Sequence, residues 1–237
     1  MTNQTVWALR FVEVGVGPLK SDLRRLNYKL PLGEWALWIE PDPFDAALYR
    51  DLAIGAIAPT WGEVLWFGRG KPKPSDLLAT SLFNRRLGFT PKNGRLFSGC
   101  SLLANLLIHY VHVVGLDEAT AEEEARAWLE RLKLTREART LGEKIGDKAH
   151  LALLALALVK EPDLLVLDRP RSLFERDFPL VLDVLKNERQ RREFAALIID
   201  DDYSPWRSQE GLPRFNLWAS PPDNMEAAEC VTPGRKK

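Results

Sequence analysis

Two apolar runs in the sequence end in acid: DLLVLD (163–168) closes on Asp168, and AALIID (195–200) runs into the string Asp200, Asp201, Asp202. Carboxylates gathered at the ends of neighbouring strands can hold a divalent metal and activate water, so a metal-dependent hydrolase built on this acidic cluster is one chemistry open to the chain. No His, Lys or Ser completes such a set, and a solvated acidic turn is the simpler expectation. His109 and His112 stand three apart in an apolar stretch, but no Cys or third His lies near them at zinc-ligand spacing, so core or partner-facing roles are expected. Lys144 and Lys148 bracket Gly146 in KIGDK. They could offer charge to a phosphate; a solvated turn is the expectation that needs less.

The elements that must position these residues follow from periodicity. From Val6 to Glu40 the pattern reads as short strands, WALRFVEV, YKLPL and EWALWIE, forming an edge sheet. The stretch from Trp38 to Gly55 reads as strand, loop and helix, with Pro41 and Pro43 in the loop and Ala46, Ala47, Leu48, Leu52 and Ala53 in the helix. IAPTWGEVLWFG (57–68) is a turn feeding a strand, followed by an exposed Lys/Pro/Ser loop. Ser101 to Leu134 turns helical; Thr120 with Glu123 is a capping box, and Ala125, Trp128, Leu129 and Leu132 share one face. Lys148 to Lys160 is an Ala/Leu helix fit to be buried nearly all round, followed by DLLVLD as a central parallel strand. A helix from about 178 to 192 leads into AALIID, so the helix and strand alternation predicts right-handed crossovers onto a parallel sheet. Trp35, Trp38, Trp61 and Trp66 alternate with apolar neighbours and are expected in core or edge packing.

Length and composition narrow the class further. A chain of 237 residues can bury one large α/β core. Lys plus Arg equals Asp plus Glu at 33 each, so no net field favours nucleic acid or an anionic membrane surface, and partner choice must come from local features. The two cysteines, Cys100 and Cys230, match no metal or redox spacing and suit a reducing compartment. The opening residues lack a secretion signal, and the longest apolar run, Leu151 to Val159, falls well short of the roughly 20 residues of a spanning helix.

Taken in order, GEWALWIEPDPFDAALYRDLAIGAIAPTWGEVLWFG, RRLGFTPKNGRLF and KIGDKAHLALLALALVKEPDLLVLDRP resemble the ATP-binding cassette (ABC) subunits of membrane transporters, over roughly Val6 to Asp202. EPDLLVLDRP is the strongest piece. The family's phosphate loop, G-x-x-x-x-G-K-[ST], uses glycine backbone N–H groups, a lysine and a hydroxyl to hold phosphates and magnesium. By this resemblance it falls on Glu40 to Ala47: Glu40 and Asp45 replace glycines, Ala46 the lysine and Ala47 the hydroxyl residue, and Pro43 brings a residue with no N–H. A carboxylate about 4 Å from a phosphate charge costs about 1 kcal/mol in bulk water and about 4 kcal/mol at an effective dielectric near 20. Two such acids and a missing lysine remove several powers of ten of affinity, at about 1.4 kcal/mol per decade.

The resemblance implies losses elsewhere too. The family's metal-contacting Gln is Lys92, and the signature Leu-Ser-Gly-Gly-Gln falls on Lys144, Ile145, Gly146, Asp147 and Lys148. Asp168 is retained, but the general-base Glu beside it is Arg169, which cannot accept a proton, and the switch histidine falls near Asp201. Lys92, Leu96, Phe97, Leu102 and Leu103 align with the region that receives the membrane subunit's coupling helix.

The expected fold class is α/β: an ABC-ATPase-like parallel-sheet core with an N-terminal antiparallel strand layer and a helical insertion at about 100–145, in one domain over 1–220, with a disordered tail over 221–237. The expected function is that of a degenerate, non-catalytic cassette, with no catalytic residue, metal or cofactor and with ATP and Mg binding lost. It acts as a structural or regulatory subunit at the cytoplasmic face of the inner membrane. Its partners are then a transmembrane permease subunit and either an intact cassette ATPase or a second copy of itself. Two other classes stay open: a soluble regulatory protein that self-associates through the old dimer surface, and the acidic-cluster hydrolase.

Overall fold

The computed structural model describes residues 7–16, 26–40, 42–91, 94–207 and 216–219. The strands are β1 (Trp7–Gly15), β2 (Leu26–Pro31), β3 (Trp35–Ile39), β4 (Trp61–Trp66), β5 (Leu87–Thr90), β6 (Leu164–Asp168), β7 (Ala195–Asp200) and β8 (Asn216–Ala219). The principal helices are α1 (Pro43–Ala53), α2 (Leu77–Arg86), α3 (Leu102–His109), α4 (Glu118–Arg131), α5 (Ala149–Leu158), α6 (Pro170–Phe174) and α7 (Phe178–Arg191). Two sheets form. An antiparallel one runs β2-β1-β4, and a parallel one runs β5-β6-β7-β3-β8.

The parallel sheet is read directly in the alternation of its buried side chains. Trp35, Leu37, Leu165, Leu167, Ala196 and Ile198 face one core cluster, with α3, α4, α5 and α7. Their neighbours Ala36, Trp38, Leu164, Val166, Ala195, Leu197 and Ile199 face the other, with α1 and the antiparallel sheet. Strands covered on both faces are continuously apolar, which is why DLLVLD and AALIID read as central strands. EWALWIE belongs here too: β3 lies between β7 and β8, and is not part of the edge sheet expected for residues 6–40. Its flanks decide this, because Trp35 and Trp38 are both fully buried on opposite faces.

The stretch expected as an insertion holds α3, a π-helical turn (Tyr110–Val114), α4 and short 3-10 turns. The start of α4 departs from expectation. Asp117, not Thr120, is its N-cap, accepting from the Thr120 N–H at 3.1 Å and from the Thr120 hydroxyl at 2.7 Å. Asp forms this cap readily, and Thr120 then serves as its partner inside the first turn. The sequence pattern does not predict α2 and β5: each is short, and the apolar residues of α2 divide between two faces, Phe83 inward and Leu77, Leu78 and Leu82 outward. Among the described residues no helix is long and apolar enough to cross a membrane. The tail expected as disordered, 221–237, lies outside the described residues.

Candidate functional site

β3, β6 and β7 end side by side, and their carboxyl ends set the candidate site. Glu40 follows β3 and is buried; its N–H donates to the Asp200 carbonyl at 2.8 Å, and its Oε1 accepts from the Asp42 N–H at 3.1 Å. Asp42 caps α1, its carboxylate accepting from the N–H groups of Phe44 (2.7 Å) and Asp45 (3.2 Å), with Pro43 at the first helical position. The N–H donors that open α1 are therefore already bonded to a carboxylate of the chain itself. Ala46 is buried and Ala47 half-buried, and each offers this loop only a methyl group.

The cation of this site comes from elsewhere. Arg50 stands four residues after Ala46, one helical turn along the same face. Its NH1 donates to Asp168 Oδ2 at 2.7 Å and its Nε to Asp51 Oδ1 at 2.8 Å. The hydrogen bond to Asp51, with that to Asp168 behind it, raises the Arg50 pKa and holds its proton more firmly than in water. Asp168 is 7% exposed, and its Oδ1 is buried without a hydrogen-bond partner. Arg169 adopts a left-handed backbone at φ 45°, donates its N–H to the Ile199 carbonyl at 2.7 Å and reaches the Glu40 carbonyl with NH2 at 3.4 Å. A concavity of about 240 Å³ opens here, lined by Pro43, Ala47, Arg50, Asp168, Arg169 and Ser172 among others. Asp45 lines a separate small cleft against β1 with Val14 and Tyr49.

The acidic string separates by function of each carboxylate. Asp200 is buried, accepting from Trp206 Nε1 at 2.8 Å and from the Asp201 N–H at 3.0 Å, and burial pushes its pKa up to about 6. Asp201 is exposed, while Asp202 caps the next turn through Ser204 and faces Arg171 at 3.4 Å. Among the described residues no three His, Cys, Asp or Glu side chains come together at metal-holding spacing. Asp168 turns toward Arg50, not toward the string. His109 Nδ1 is buried, and burial lowers its pKa.

KIGDK lies apart, as two 3-10 turns leading into α5. Ile145 is buried and Asp147 exposed. Gly146 sits at φ 64°, the left-handed region that disfavours a side chain, and Lys148 is tied to both oxygens of Asp177 at 2.8 and 2.9 Å.

The residues expected to meet a partner divide. Phe97 is 57% exposed. Leu96 and Leu102 are instead core residues, 8% and 0% exposed, and Leu103 is half-buried against the same cluster. The reason is that α3 begins at Leu102 and turns its apolar face inward. Lys92 lies outside the described residues. Sequence reasoning passed over Asn105, buried in α3: it accepts from the Phe97 N–H at 2.7 Å and donates to the carbonyls of Phe97 (3.2 Å), Cys100 (3.3 Å) and Ser101 (3.0 Å). A lone Asn in LLANLLIH was the available signal, because a polar group buried in an apolar helix needs such partners.

No protein-family model matches the chain. Among solved structures, the dimeric ATP-binding cassette MJ0796, a bacterial ABC transporter cassette, superposes with a TM-score of 0.74 at 16% identity, covering 89% of this chain and 94% of that one. The chain has the fold of an ATP-binding cassette. Sequence relatives point the same way. The cell division ATP-binding protein FtsE of Haemophilus influenzae is 23% identical over 187 residues, 78% of this chain and 85% of that protein. The octopine permease ATP-binding protein P of Rhizobium radiobacter is 30% identical over 115 residues, 48% of this chain but only 43% of that protein's length. In this cassette fold, the cluster of Glu40, Asp42, Arg50, Asp168 and Arg169 stands where β3 leads into α1, the position the phosphate loop was expected to take.

Proposed function

We propose that this chain is a non-catalytic cassette subunit of a membrane transport complex, a scaffold or regulator that neither holds nor hydrolyses ATP. The observation that carries the reading is the ion pair of Arg50 with Asp168. In it the chain's own cation occupies the carboxylate that the resemblance assigns to magnesium, while Asp42 occupies the N–H groups suited to phosphate. The groups present do not fit a magnesium nucleotide: no lysine or hydroxyl stands at Ala46 or Ala47, and the carboxylates of Glu40 and Asp42 stand at the loop, while Asp45 turns to a separate cleft against β1. Arg169, lacking a lone pair at neutral pH, cannot activate water.

Relatives by sequence are permease and division ATP-binding proteins, which supports a transport-complex setting with a transmembrane partner and a second cassette. Phe97, held outward by Asn105 behind it, is the docking element that survives the loss of chemistry. Calorimetric titration of the purified chain with magnesium-ATP is expected to give no binding heat. Micromolar binding that is lost on Asp168→Asn substitution would overturn the reading.

A second reading, self-association through the old dimer face, is supported by Phe44, which is 84% exposed at the start of α1. Light scattering of the chain alone, with Phe44→Ser as control, separates the two: a stable dimer lost in the variant favours self-association.

A further inference from the structure

Far from the strand ends, α2 presents an apolar ridge to solvent. Leu77, Leu78 and Leu82 are 79%, 73% and 53% exposed, although the helix is only 10 residues long. At about 100° per residue these three and Arg85 share one outward arc, with Ser81 between them, while Ala79, Thr80 and Phe83 turn inward. Phe83 is the anchor, buried edge-on against Trp66 with ring centroids 5.5 Å apart. The other exposed large apolar residues, Phe44, Phe97, Leu32, Ile57 and Val113, are scattered over other elements, so among the described residues α2 is the one place where three gather on a single turn-and-a-half of helix.

Cations flank the ridge along the chain. Arg69, Lys71 and Lys73 are exposed on the loop before α2, and Arg85 lies within the arc. Among the described residues, Arg69, Lys73 and Arg85 have no carboxylate at ion-pair distance, and the Lys71 ammonium bonds the Gly55 carbonyl at 2.6 Å. The acid in the segment, Asp76, is used as the N-cap, accepting from the Ala79 N–H at 3.0 Å. Loop and helix are fastened together: the Lys73 carbonyl accepts from the Asp76 N–H at 2.9 Å and from the Thr80 hydroxyl at 3.2 Å. At the far end Lys160 donates to the carbonyls of Asn84 (2.9 Å) and Leu87 (2.8 Å), pinning the helix terminus. The ridge and its charges are thus presented as a fixed surface.

We propose that α2 and the loop before it form a contact site for an anionic lipid bilayer, with Leu77, Leu78 and Leu82 entering the boundary of headgroups and acyl chains and Arg69, Lys71, Lys73 and Arg85 meeting lipid phosphates. Apolar residues on one helical face rimmed by Lys and Arg suit that boundary. A second copy on the same ridge would bring two sets of these cations together across a two-fold axis, which disfavours it. This site does not depend on the cassette reading, since the chain alone should bind lipid.

The test is flotation of the full chain with phosphatidylcholine vesicles, with and without phosphatidylserine. Binding to the serine-lipid vesicles is expected to exceed that to neutral ones by about tenfold and to fall with added salt. The double substitution Leu78→Glu with Leu82→Glu is expected to abolish it, and Lys73→Glu with Arg85→Glu to reduce it to the neutral-vesicle level. The second pair lies wholly on the surface and keeps the test decisive should the first unfold, which circular dichroism reports. Absence of flotation, or flotation indifferent to both pairs, overturns the proposal. Lipid-free self-association that is lost on Leu78→Glu overturns it in favour of a second copy, and capture of an acidic protein without lipid binding overturns it in favour of a protein partner.

Discussion

The loop between β3 and α1 and the loop before α3 carry the two halves of the proposed function, and they are built in opposite ways. The first is turned in on itself. Asp42 takes the helix N–H groups, Asp42 N–H takes Glu40, and the cation one turn along α1 is fixed on Asp168. The second is held from behind by the buried Asn105, with backbone bonds such as Gly142 N–H to the Cys100 carbonyl beside it, while Phe97 stands outward in solvent. Satisfying polar groups internally removes a binding site for ions, whereas satisfying them from the core side frees the outer face for an apolar partner. The proposed non-catalytic subunit requires this contrast.

The sharpest way to break the contrast is to remove the internal cation. Arg50→Met leaves the Asp168 carboxylate buried beside no guanidinium, and unfolding in urea is expected to show a loss of about 3 kcal/mol, somewhat tempered because Arg50 is 21% exposed. The double substitution with Asp168→Asn should restore most of it. If Arg50→Met costs nothing, the ion pair does not close the site.

On the docking side, Asn105→Ala strands the Phe97 N–H and is expected to cost about 2 kcal/mol. Amide exchange should quicken at residues 97–101 first. Uniform exchange across α3 and α4 instead would mean that Asn105 serves the whole helix and not the loop.

A smaller effect of opposite sign is expected at Asp200, which ends the strand beside Asp168 but finds Trp206 where Asp168 finds Arg50. Its folded pKa, near 6, lies above the ordinary 3.8, so the native state retains a proton that the unfolded chain releases between those values. Stability therefore falls as pH rises through that window. Asp200→Asn should be about 1–2 kcal/mol more stable than the parent at pH 8 and nearly equal to it at pH 4, measured by denaturant midpoints. An equal gain at both values would show that the carboxylate is not the cause. Least of all in stability is Phe97→Ser, within about 0.5 kcal/mol of the parent. Its readout is co-purification with a transmembrane partner from native membranes, which should fall; undiminished capture would move docking away from this loop.

Much of the scaffold was legible in the chain. DLLVLD and AALIID are apolar on both faces, and only a strand covered on both sides can be so. LALLALALV likewise names a helix buried all round. That residues 40–47 carry Glu40, Asp42 and Asp45 and no lysine or hydroxyl was also plain in the chain itself. What residue types could not convey is which group answers which. Arg50 lies 118 positions from Asp168 and meets it only because α1 packs across the end of β6. Leu96 and Leu102 look as fit for a partner as Phe97, and only the packing of α3 on the core sends two inward and leaves one out. β3 joined the parallel sheet through neighbours supplied by β7 and β8. Local pattern fixes which face of an element is apolar; partners, ion pairs and exposure are properties of contacts between distant segments, and those belong to the tertiary structure.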